Sequence, residues 1–430
     1  MNILQISHCF PPESMTGSEI YACSLAKELS KKHSVSVFYR INNPKEQEYK
    51  VTSGKYEGFD VYKINNTLKG YRSIERIYRN KSVEEKFVQV LNEVRPEIVH
   101  IHHLLFLSIG IIDEVKKRNI PIIFTLHDYW LACPRGQLLK YNLQLCKDPL
   151  TANCLFCLGR ALSFKNLIKR MFNFRIRDCI PKKDYFGLKD ILRKVDLFIA
   201  PSRFLRNKFI EFGVSPQKIV YCDNGMDLSL FADNEKTGSS RIRFGFIGTF
   251  IPSKGLHILI KAFNRIRAGK ATLRIYGKSP MNNGIFNYYH KIKIMTRRNK
   301  NIRFMGAFDK SEVSKIFKEI DVLVFPSLWE ENSPLVLHEA MLTGTPVIVS
   351  DIGGVSELVK NGKDGLFFDA GDVDSLYCKM KMFAEDRNIL RKFDFNSTII
   401  KGIKENSVEL EKIYQDLSSS GEDVKCLLAV

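Results

Sequence analysis

The sequence has no apolar run long enough to cross a membrane. Its longest apolar stretch, Leu104–Ile112, is shorter than ten residues and is interrupted by Ser108, whereas a membrane-spanning helix needs about 20 apolar residues. The first residues also lack the basic segment with which a signal peptide begins. We therefore expect a cytoplasmic protein, in which the 10 cysteines remain reduced.

Disordered, collagen-like and small disulfide-rich proteins are excluded by the composition. Of the 430 residues, 44% are hydrophobic, 11% are aromatic and 26% are charged, as is typical of folded proteins. A chain of this length exceeds one comfortable core, so we expect two domains of about 200 residues each.

Basic residues are in clear excess. The chain has 66 Lys and Arg against 47 Asp and Glu, a formal net charge of +19. Residues 251–300 contain twelve Lys and Arg with no Asp or Glu, and residues 160–194 contain eleven against three Asp. Such an excess suits nucleotide phosphates, phospholipid headgroups or nucleic acid. An ordinary solvated basic surface is the alternative for either segment.

Short apolar runs alternate with amphipathic segments, which is typical of parallel α/β sheets. The predicted strands are Ile3–Ser7, Val35–Tyr39, Val61–Ile64, Ile98–His102, Ile122–Leu126 and Leu197–Ala200, then Arg243–Gly248, Leu273–Tyr276, Ile302–Met305, Val322–Phe325, Val347–Ser350 and Leu366–Phe368. We predict two Rossmann-like, doubly wound domains, residues 1–230 and 231–398, that face a central cleft. The segment 399–430 is predicted to contain a helix that crosses back to the first domain.

The residues that follow strands at their carboxyl ends are the candidate ligand contacts. Gly17 lies in a turn between the first strand and a helix, and Lys254 lies in a glycine-flanked turn at the start of another helix. Neither turn is a dinucleotide fingerprint or a Walker A loop. A lysine at such a position suits a diphosphate, and an ordinary surface lysine is the alternative.

The strongest local motif is the segment 326–340, which follows a strand and opens a helix. Pro334 fits the first helical turn with Ser333 as its N-cap. Glu331 and Glu339 are eight residues apart, or ~12 Å if the whole segment is helical. Retaining glycosidase carboxylates are only about 5–5.5 Å apart. The pair could instead hold two ends of one long ligand, with a phosphate at the helix N-terminus between them.

These motifs resemble the retaining glycosyltransferases of family 4, also called group 1, which have the GT-B fold. The resemblance covers about residues 1–415 and rests on the motifs at Gly248…Lys254-Gly255, Asn224–Asp227, Glu331…Glu339, Thr345–Ile348 and Gly353–Glu357. It implies a metal-independent enzyme without a catalytic cofactor, which takes a sugar from a nucleotide diphosphate. Thr249 is a departure, because many members have an arginine there as the partner of the lysine. Lys254 acting alone and Lys254 acting together with Arg203 are the alternatives.

The resemblance also implies roles for individual residues. Glu339 would bind the ribose hydroxyls and Glu331 the hydroxyls of the donor sugar. The diphosphate would be stabilised by Lys254 together with the backbone around Ser333, Pro334 and Leu335. Further contacts implied are Phe308 at the base, Gly17 near the phosphates and acceptor, and His127 near the anomeric centre, where it would position the sugar and stabilise charge.

Histidines and cysteines raise the question of metal binding. His100, His102 and His103 lie close together in sequence, but a wet cleft edge or a satisfied core explains them better than a metal. Four cysteines fall within 25 residues, in a predicted insertion at about 128–165, and could form a structural zinc site or, less favoured, an iron–sulfur cluster. They are Cys133, Cys146, Cys154 and Cys157. Four reduced thiols packing a loop are the alternative.

The predicted function is transfer of a hexosyl residue from a nucleotide sugar to a glycan or lipid-linked acceptor, with retention of configuration. Residues 161–177 have the spacing of an amphipathic basic helix, which indicates peripheral binding to an anionic membrane such as the inner face of the plasma membrane; a core-packed helix is the alternative. No nucleic-acid partner is expected. The alternative functions are a sugar-nucleotide 2-epimerase of the same fold and a non-enzymic basic binder of membranes or nucleic acid.

Overall fold

The computed structural model describes residues 1–69, 75–149, 154, 157, 188–231, 235–280, 283–395 and 399–419. Its strands are β1 (Asn2–Ser7), β2 (Ser34–Ile41), β3 (Val51–Tyr56), β4 (Phe59–Asn65), β5 (Ile98–Ile101), β6 (Ile122–Thr125), β7 (Leu197–Ala200), β8 (Ile219–Tyr221), β9 (Ile242–Ile247), β10 (Ala271–Tyr276), β11 (Ile302–Gly306), β12 (Val322–Phe325), β13 (Val347–Ser350) and β14 (Gly365–Phe368).

Helices connect most of these strands. They are α1 (Gly17–Leu29), α2 (Glu75–Tyr78), α3 (Lys81–Val94), α4 (Gly110–Lys116), α5 (Leu188–Lys194), α6 (Arg203–Glu211), α7 (Leu256–Phe263), α8 (Asn283–Thr296), α9 (Val313–Lys318), α10 (Leu335–Leu342), α11 (Val355–Leu358), α12 (Val373–Glu385) and α13 (Ile403–Ser419). Side-chain caps fix several helix starts: the Asn80 side chain accepts hydrogen bonds from N–H groups in the first turn of α3, and Ser202 caps α6.

The described residues form two sheets with separate cores. The N-terminal sheet has the order β3-β4-β2-β1-β5-β6-β7-β8 and is parallel except for β3. The C-terminal sheet has the order β11-β10-β9-β12-β13-β14 and is parallel throughout. Their central strands are buried Val, Ile, Leu and Phe runs, as expected when helices cover both faces. The predicted pair of Rossmann-like α/β domains is confirmed.

The C-terminal helix α13 crosses back to the N-terminal domain, as the sequence predicted. Where the chain passes between the domains, Met226 N–H donates to Lys401 O at 3.0 Å, and Ile403 N–H donates to Met226 O at 2.8 Å. Further along the helix, the Tyr414 hydroxyl lies 2.6 Å from His100 Nδ1 in the core. The segment that leaves the N-terminal domain at Met226 is therefore hydrogen-bonded to the segment that returns to it before α13. Helix α13 itself packs in the N-terminal core.

Two strands were missed in the sequence. β3 pairs antiparallel with β4, and its polar, mostly exposed residues give no apolar alternation. β8 has only three residues, too few for a periodic signal. Within the described ranges, no helix is long and apolar enough to cross a membrane. The predicted amphipathic helix at 161–177 lies outside the described residues.

Candidate functional site

The predicted site residues gather where the carboxyl ends of the two sheets face each other. Gly17 starts α1 of the N-terminal domain, and a Cβ atom at this position would lie 3.8 Å from the side chain of Leu335, at the start of α10. Two helices that follow strands thus meet end to end across the cleft. Helix N-termini favour anionic groups, so the junction suits a phosphate-bearing ligand.

Lys254 and Glu331 form an ion pair in this cleft. Lys254 Nζ lies 2.6 Å from Glu331 Oε1, and the same oxygen accepts a hydrogen bond of 2.8 Å from the Ser327 hydroxyl. The ammonium lies 5.5 Å above the ring of Phe325 and 5.6 Å above that of Trp329, within the range of cation–π attraction. The Glu331 side chain is 6% exposed and the Lys254 side chain 23%. The two residues are 77 positions apart in the chain, and only the folded structure brings them into contact.

The Gly353-Gly354 pair supports the turn that contains Glu331. Gly354 N–H donates to Glu331 O at 2.7 Å. A Cβ atom at Gly353 would lie 2.7 Å from Glu331 O, and one at Gly354 would lie 2.3 Å from Asn332 O. Both contacts are too close for any side chain, so only glycine allows the backbone to approach the turn this closely.

His127 lies directly across from this turn. Asn332 Nδ2 donates to His127 O at 2.8 Å, which joins the two domains beside the Glu331 carboxylate. His127 Nε2 lies 3.2 Å from His102 Nδ1, and His103 Nε2 lies 3.4 Å from Asp128 Oδ2. Burial, with a smaller effect of His103, lowers the pKa of His127 to about 4. His127 is therefore neutral at pH 7 and suited to hydrogen bonding rather than to supplying a full positive charge.

The start of α10 differs from the sequence prediction. The helix begins at Leu335 with Pro334 as the N-cap residue, and Ser333 does not cap it. The Ser333 hydroxyl donates instead to Asp223 Oδ1 of the N-terminal domain at 2.8 Å. An N-cap would need the Ser333 oxygen to accept from backbone N–H groups of α10, whereas its hydroxyl is directed to the Asp223 carboxylate in a charge-assisted hydrogen bond. The backbone at Ser333, Pro334 and Leu335 remains at the helix N-terminus, as predicted.

Glu339 lies one turn further along α10. Burial raises the pKa of Glu339 to about 7, and the charges of Lys310 and His338 oppose this rise. Lys310 Nζ also donates to Ser24 Oγ of the N-terminal domain at 3.2 Å. Phe308 lies nearby in sequence, partly buried, with its ring perpendicular to that of Tyr276 at 6.2 Å. Phe308 and Lys310 follow β11, and Lys310 links the two domains beside Glu339.

A further contact between the domains involves Glu357. Its carboxylate accepts hydrogen bonds from the backbone N–H groups of Arg203 (2.8 Å) and Phe204 (2.5 Å) at the N-terminus of α6. A carboxylate at a helix N-terminus is favoured by the helix dipole. The Arg203 guanidinium lies over the ring of Tyr221, 4.7 Å from its centroid.

The four cysteines of the predicted metal site are all among the described residues. Cys133 and Cys154 are buried, and Cys146 and Cys157 are partly exposed. Charge interaction with Cys154 contributes to raised pKa values of Cys133 and Cys146, after burial as the main cause. In the described parts of the chain, no group of three or more His, Cys, Asp or Glu is arranged to hold a metal ion. The zinc hypothesis gains no support here and stays a prediction.

Several polar residues of the cleft were not singled out in the sequence. They are Asp223, Ser327, Asn332 and His338, together with Glu357 as a contact between domains. Asn332, Ser327 and Glu357 lie inside recognised motifs, so their positions could have been flagged. Nothing in the sequence pairs Asp223 with His338, because the two are 115 residues apart.

Comparison with known proteins agrees with this architecture. Residues 15–230 match the family described as Glycosyltransferase Family 4, and residues 241–386 match the family described as Glycosyl transferases group 1. The first match alone covers half of the chain, and the second contains Lys254, Glu331 and Glu339.

Individual relatives include a protein of a cps region and a named galactosyltransferase. An uncharacterized 42.6 kDa protein of the cps region of Klebsiella pneumoniae is 25% identical over 393 residues, 87% of this chain and 92% of that protein. The UDP-Gal:alpha-D-GlcNAc-diphosphoundecaprenol alpha-1,3-galactosyltransferase of Escherichia coli is 29% identical over 226 residues, 48% of this chain and 56% of that enzyme. Anabaena HepE in complex with UDP and glucose has a similar fold, with a TM-score of 0.65, 19% identity, and coverage of 98% of this chain and 100% of HepE.

Proposed function

Because the chain belongs to glycosyltransferase family 4, we propose that it transfers a hexosyl residue from a nucleotide diphosphate sugar to a glycan or lipid-linked acceptor. The configuration at the anomeric carbon is retained. The bond from that carbon to the diphosphate oxygen breaks, and an acceptor hydroxyl oxygen forms the new glycosidic bond. The hydroxyl proton and the nucleoside diphosphate are the remaining products, so atoms and charge balance.

The observation that carries this proposal is the Lys254–Glu331 ion pair beside the N-terminus of α10. A cation and a helix N-terminus aimed at one region suit a diphosphate, whose negative charge grows as the sugar leaves. The adjacent Glu331 carboxylate suits the hydroxyls of a sugar attached to that diphosphate. The cleft thus offers donors for the leaving group and an acceptor for the sugar side by side.

The remaining residues complete the proposed donor site. Glu339 binds the ribose hydroxyls and Phe308 contacts the base. His127 positions the sugar near the anomeric carbon as a neutral imidazole. Gly17, opposite Leu335, leaves room for the phosphates or the acceptor.

The donor and acceptor classes are proposed from the relatives. HepE was solved with UDP and glucose, and the E. coli relative is named for transfer of galactose to a diphosphoundecaprenol-linked sugar. We therefore favour a UDP-hexose as the donor and a lipid-linked saccharide as the acceptor, in cell-surface polysaccharide or glycolipid synthesis.

A lipid-linked acceptor would bring the protein to a membrane surface. The net charge of +19 and the basic pattern at 161–177 support reversible binding to an anionic leaflet, since each basic residue near such a surface contributes about 1 kcal/mol. Co-sedimentation with vesicles tests this point. Binding should require anionic lipid and weaken with salt; absence of binding at low salt would favour a soluble acceptor.

Release of nucleoside diphosphate tests the proposed reaction. UDP-, GDP- and ADP-hexoses are incubated with undecaprenol-linked saccharides, and both the free diphosphate and the extended acceptor are measured. The proposal expects the two products in equal amounts from one donor, with the anomeric configuration of the donor in the product. Conversion of a nucleotide sugar without any acceptor would instead indicate an epimerase. No turnover and no nucleotide binding, with salt-sensitive polyanion binding, would indicate a non-enzymic binder.

A further inference from the structure

Asp223 joins the N-terminal domain to the turn before α10. It lies two residues after the end of β8, and its side chain is 16% exposed. Oδ1 accepts hydrogen bonds of 2.8 Å from the Ser333 hydroxyl and from Asn224 N–H. Oδ2 lies 3.4 Å from His338 Nε2. We call Asp223, Ser333 and His338 the Asp223 bridge.

The surroundings of His338 favour its protonated form. It is 1% exposed, and both ring nitrogens face acceptors: Nε2 faces Asp223, and Nδ1 lies 3.2 Å from Pro334 O. A neutral imidazole has only one N–H donor, so two acceptors favour the imidazolium form. Burial acts to lower the pKa of His338, but the hydrogen bond and charge of Asp223 outweigh it and raise that pKa.

The charged groups around this pair favour the same assignment. Glu339, on the same helix, also acts to raise the pKa of His338. The pKa of Asp223 is lowered by His338 and Ser333, although its burial acts in the opposite direction. Lys401, from the segment before α13, also interacts electrostatically with Asp223. The Asp223 bridge is therefore an ion pair between the two domains.

Asp223 is also fixed at the point where the chain crosses between the domains. Its backbone O accepts a hydrogen bond of 3.0 Å from Asn406 Nδ2 of α13, and the Tyr21 hydroxyl donates to Asn406 Oδ1 at 2.9 Å. Three residues later, Met226 pairs with the returning chain. The Asp223 carboxylate consequently has a defined position relative to the N-terminal core.

The two partners of Asp223 flank the proposed diphosphate contact. Ser333 immediately precedes Pro334, and His338 hydrogen-bonds Pro334 O from the first turn of α10. The backbone at Ser333–Leu335 lies between them. Holding both sides of this turn fixes the direction in which its N–H groups point, and such preorganisation determines how well fixed donors stabilise charge.

We propose that Asp223 and His338 are positioning residues that fix the turn at Pro334 for the diphosphate of the nucleotide sugar. The proposal rests on the proposed function and adds to it a requirement for a contact from the N-terminal domain. Neither side chain needs to touch the ligand. Substituting either residue should therefore weaken binding of the phosphates and leave binding of the base and ribose unchanged.

Paired titrations of a nucleoside diphosphate and its nucleoside test this. The diphosphate used is whichever of UDP, GDP and ADP binds the wild type, and the nucleoside is measured by competition. Asp223→Asn and His338→Gln should each weaken diphosphate affinity about tenfold and nucleoside affinity less than about twofold. Ser333→Ala, which keeps the ion pair, should cost about threefold for the diphosphate. His290→Gln, at an exposed position of α8, is the matched control and should change neither affinity.

The pH dependence of diphosphate affinity distinguishes a positioning role of His338 from a purely structural one, which would not change it. As the pH rises through the raised pKa of His338, wild-type affinity for the diphosphate should fall because His338 loses its proton, and His338→Gln should remove this part of the fall. Equal loss for diphosphate and nucleoside, or no loss in any of the three variants, would overturn the proposal. If a variant fails to fold, the others decide. A wild type that binds none of the three diphosphates refutes the proposed function instead.

Discussion

The ammonium of Lys254 and the carboxylate of Glu331 lie 2.6 Å apart in a cleft between two sheets, although 77 residues separate them in the chain. Each group is assigned to a different part of the donor, Lys254 to the diphosphate and Glu331 to the sugar. In this structure they pair with each other, so the buried carboxylate has a partner. Donor binding would replace this contact with two new ones.

The two members of the pair should therefore respond differently to substitution. Glu331→Gln removes a contact to the sugar but leaves Lys254 free for the diphosphate, so turnover should fall at least about a hundredfold while UDP affinity stays within about threefold. Lys254→Ala should lower both turnover and UDP affinity, because the diphosphate is negatively charged in the ground state and carries more negative charge in the transition state. Steady-state kinetics and calorimetry measure the two quantities. Mild, equal effects below about threefold in both variants would contradict the site assignment.

Glu339 should make stability depend on pH. Its pKa is raised to about 7 in the folded protein, against about 4.3 in an unfolded chain. Between these values the folded state binds more protons, so this group lowers the free energy of unfolding as pH rises. Without nucleotide, Glu339→Gln should gain stability relative to wild type as the pH rises from about 4 to about 7, by up to about 4 kcal/mol. The free energy of unfolding is measured by urea titration at each pH. If wild type and Glu339→Gln show the same pH dependence of this free energy, the raised pKa of Glu339 is refuted.

Glu357 should hold the two domains together. Glu357→Gln removes the charge at the N-terminus of α6, where such a charge is worth about 0.3–1 kcal/mol. We expect a larger radius of gyration in solution scattering without ligand and a several-fold lower kcat/KM. Glu385→Gln, which alters a surface pair with Lys381, is the control. Unchanged scattering and kinetics in Glu357→Gln would show that this contact does not contribute to closure.

The C-terminal helix should contribute to stability through Tyr414. Tyr414→Phe leaves His100 Nδ1 without its partner at 2.6 Å in a fully buried position, which costs about 1–3 kcal/mol. Urea denaturation measures the loss. A change within about 0.5 kcal/mol would mean that α13 is not docked in solution as described.

The cysteine cluster has a simple test. The zinc hypothesis predicts about one metal ion per chain, measured by elemental analysis on protein purified without a histidine tag. Less than about 0.2 metal ions per chain, with all four thiols free to react, would reject the zinc hypothesis. The four cysteines would then be reduced thiols that pack in the loop.

Most of the fold could be predicted from segments with strong hydrophobic periodicity. Contacts between segments distant in the chain could not be predicted. The runs at Leu197–Ala200, Val322–Phe325 and Val347–Ser350 are strands with the predicted bounds, because buried parallel strands require continuous apolar residues. Ser333 was predicted to cap α10, but its hydroxyl is directed to Asp223 of the other domain and makes no cap hydrogen bond. Local sequence cannot reveal such a competitor, since only the tertiary fold brings it within reach.

Direct binding of the donor tests the central claim, that the cleft between the sheets binds a nucleotide diphosphate sugar. UDP-, GDP- and ADP-hexoses are titrated calorimetrically into the wild type and into Lys254→Ala. We predict that one donor binds the wild type at one site per chain, with a dissociation constant between about 1 μM and 1 mM, and binds Lys254→Ala at least about tenfold more weakly. No binding of any of the three donors to the wild type, or equal binding to both proteins, would contradict the account.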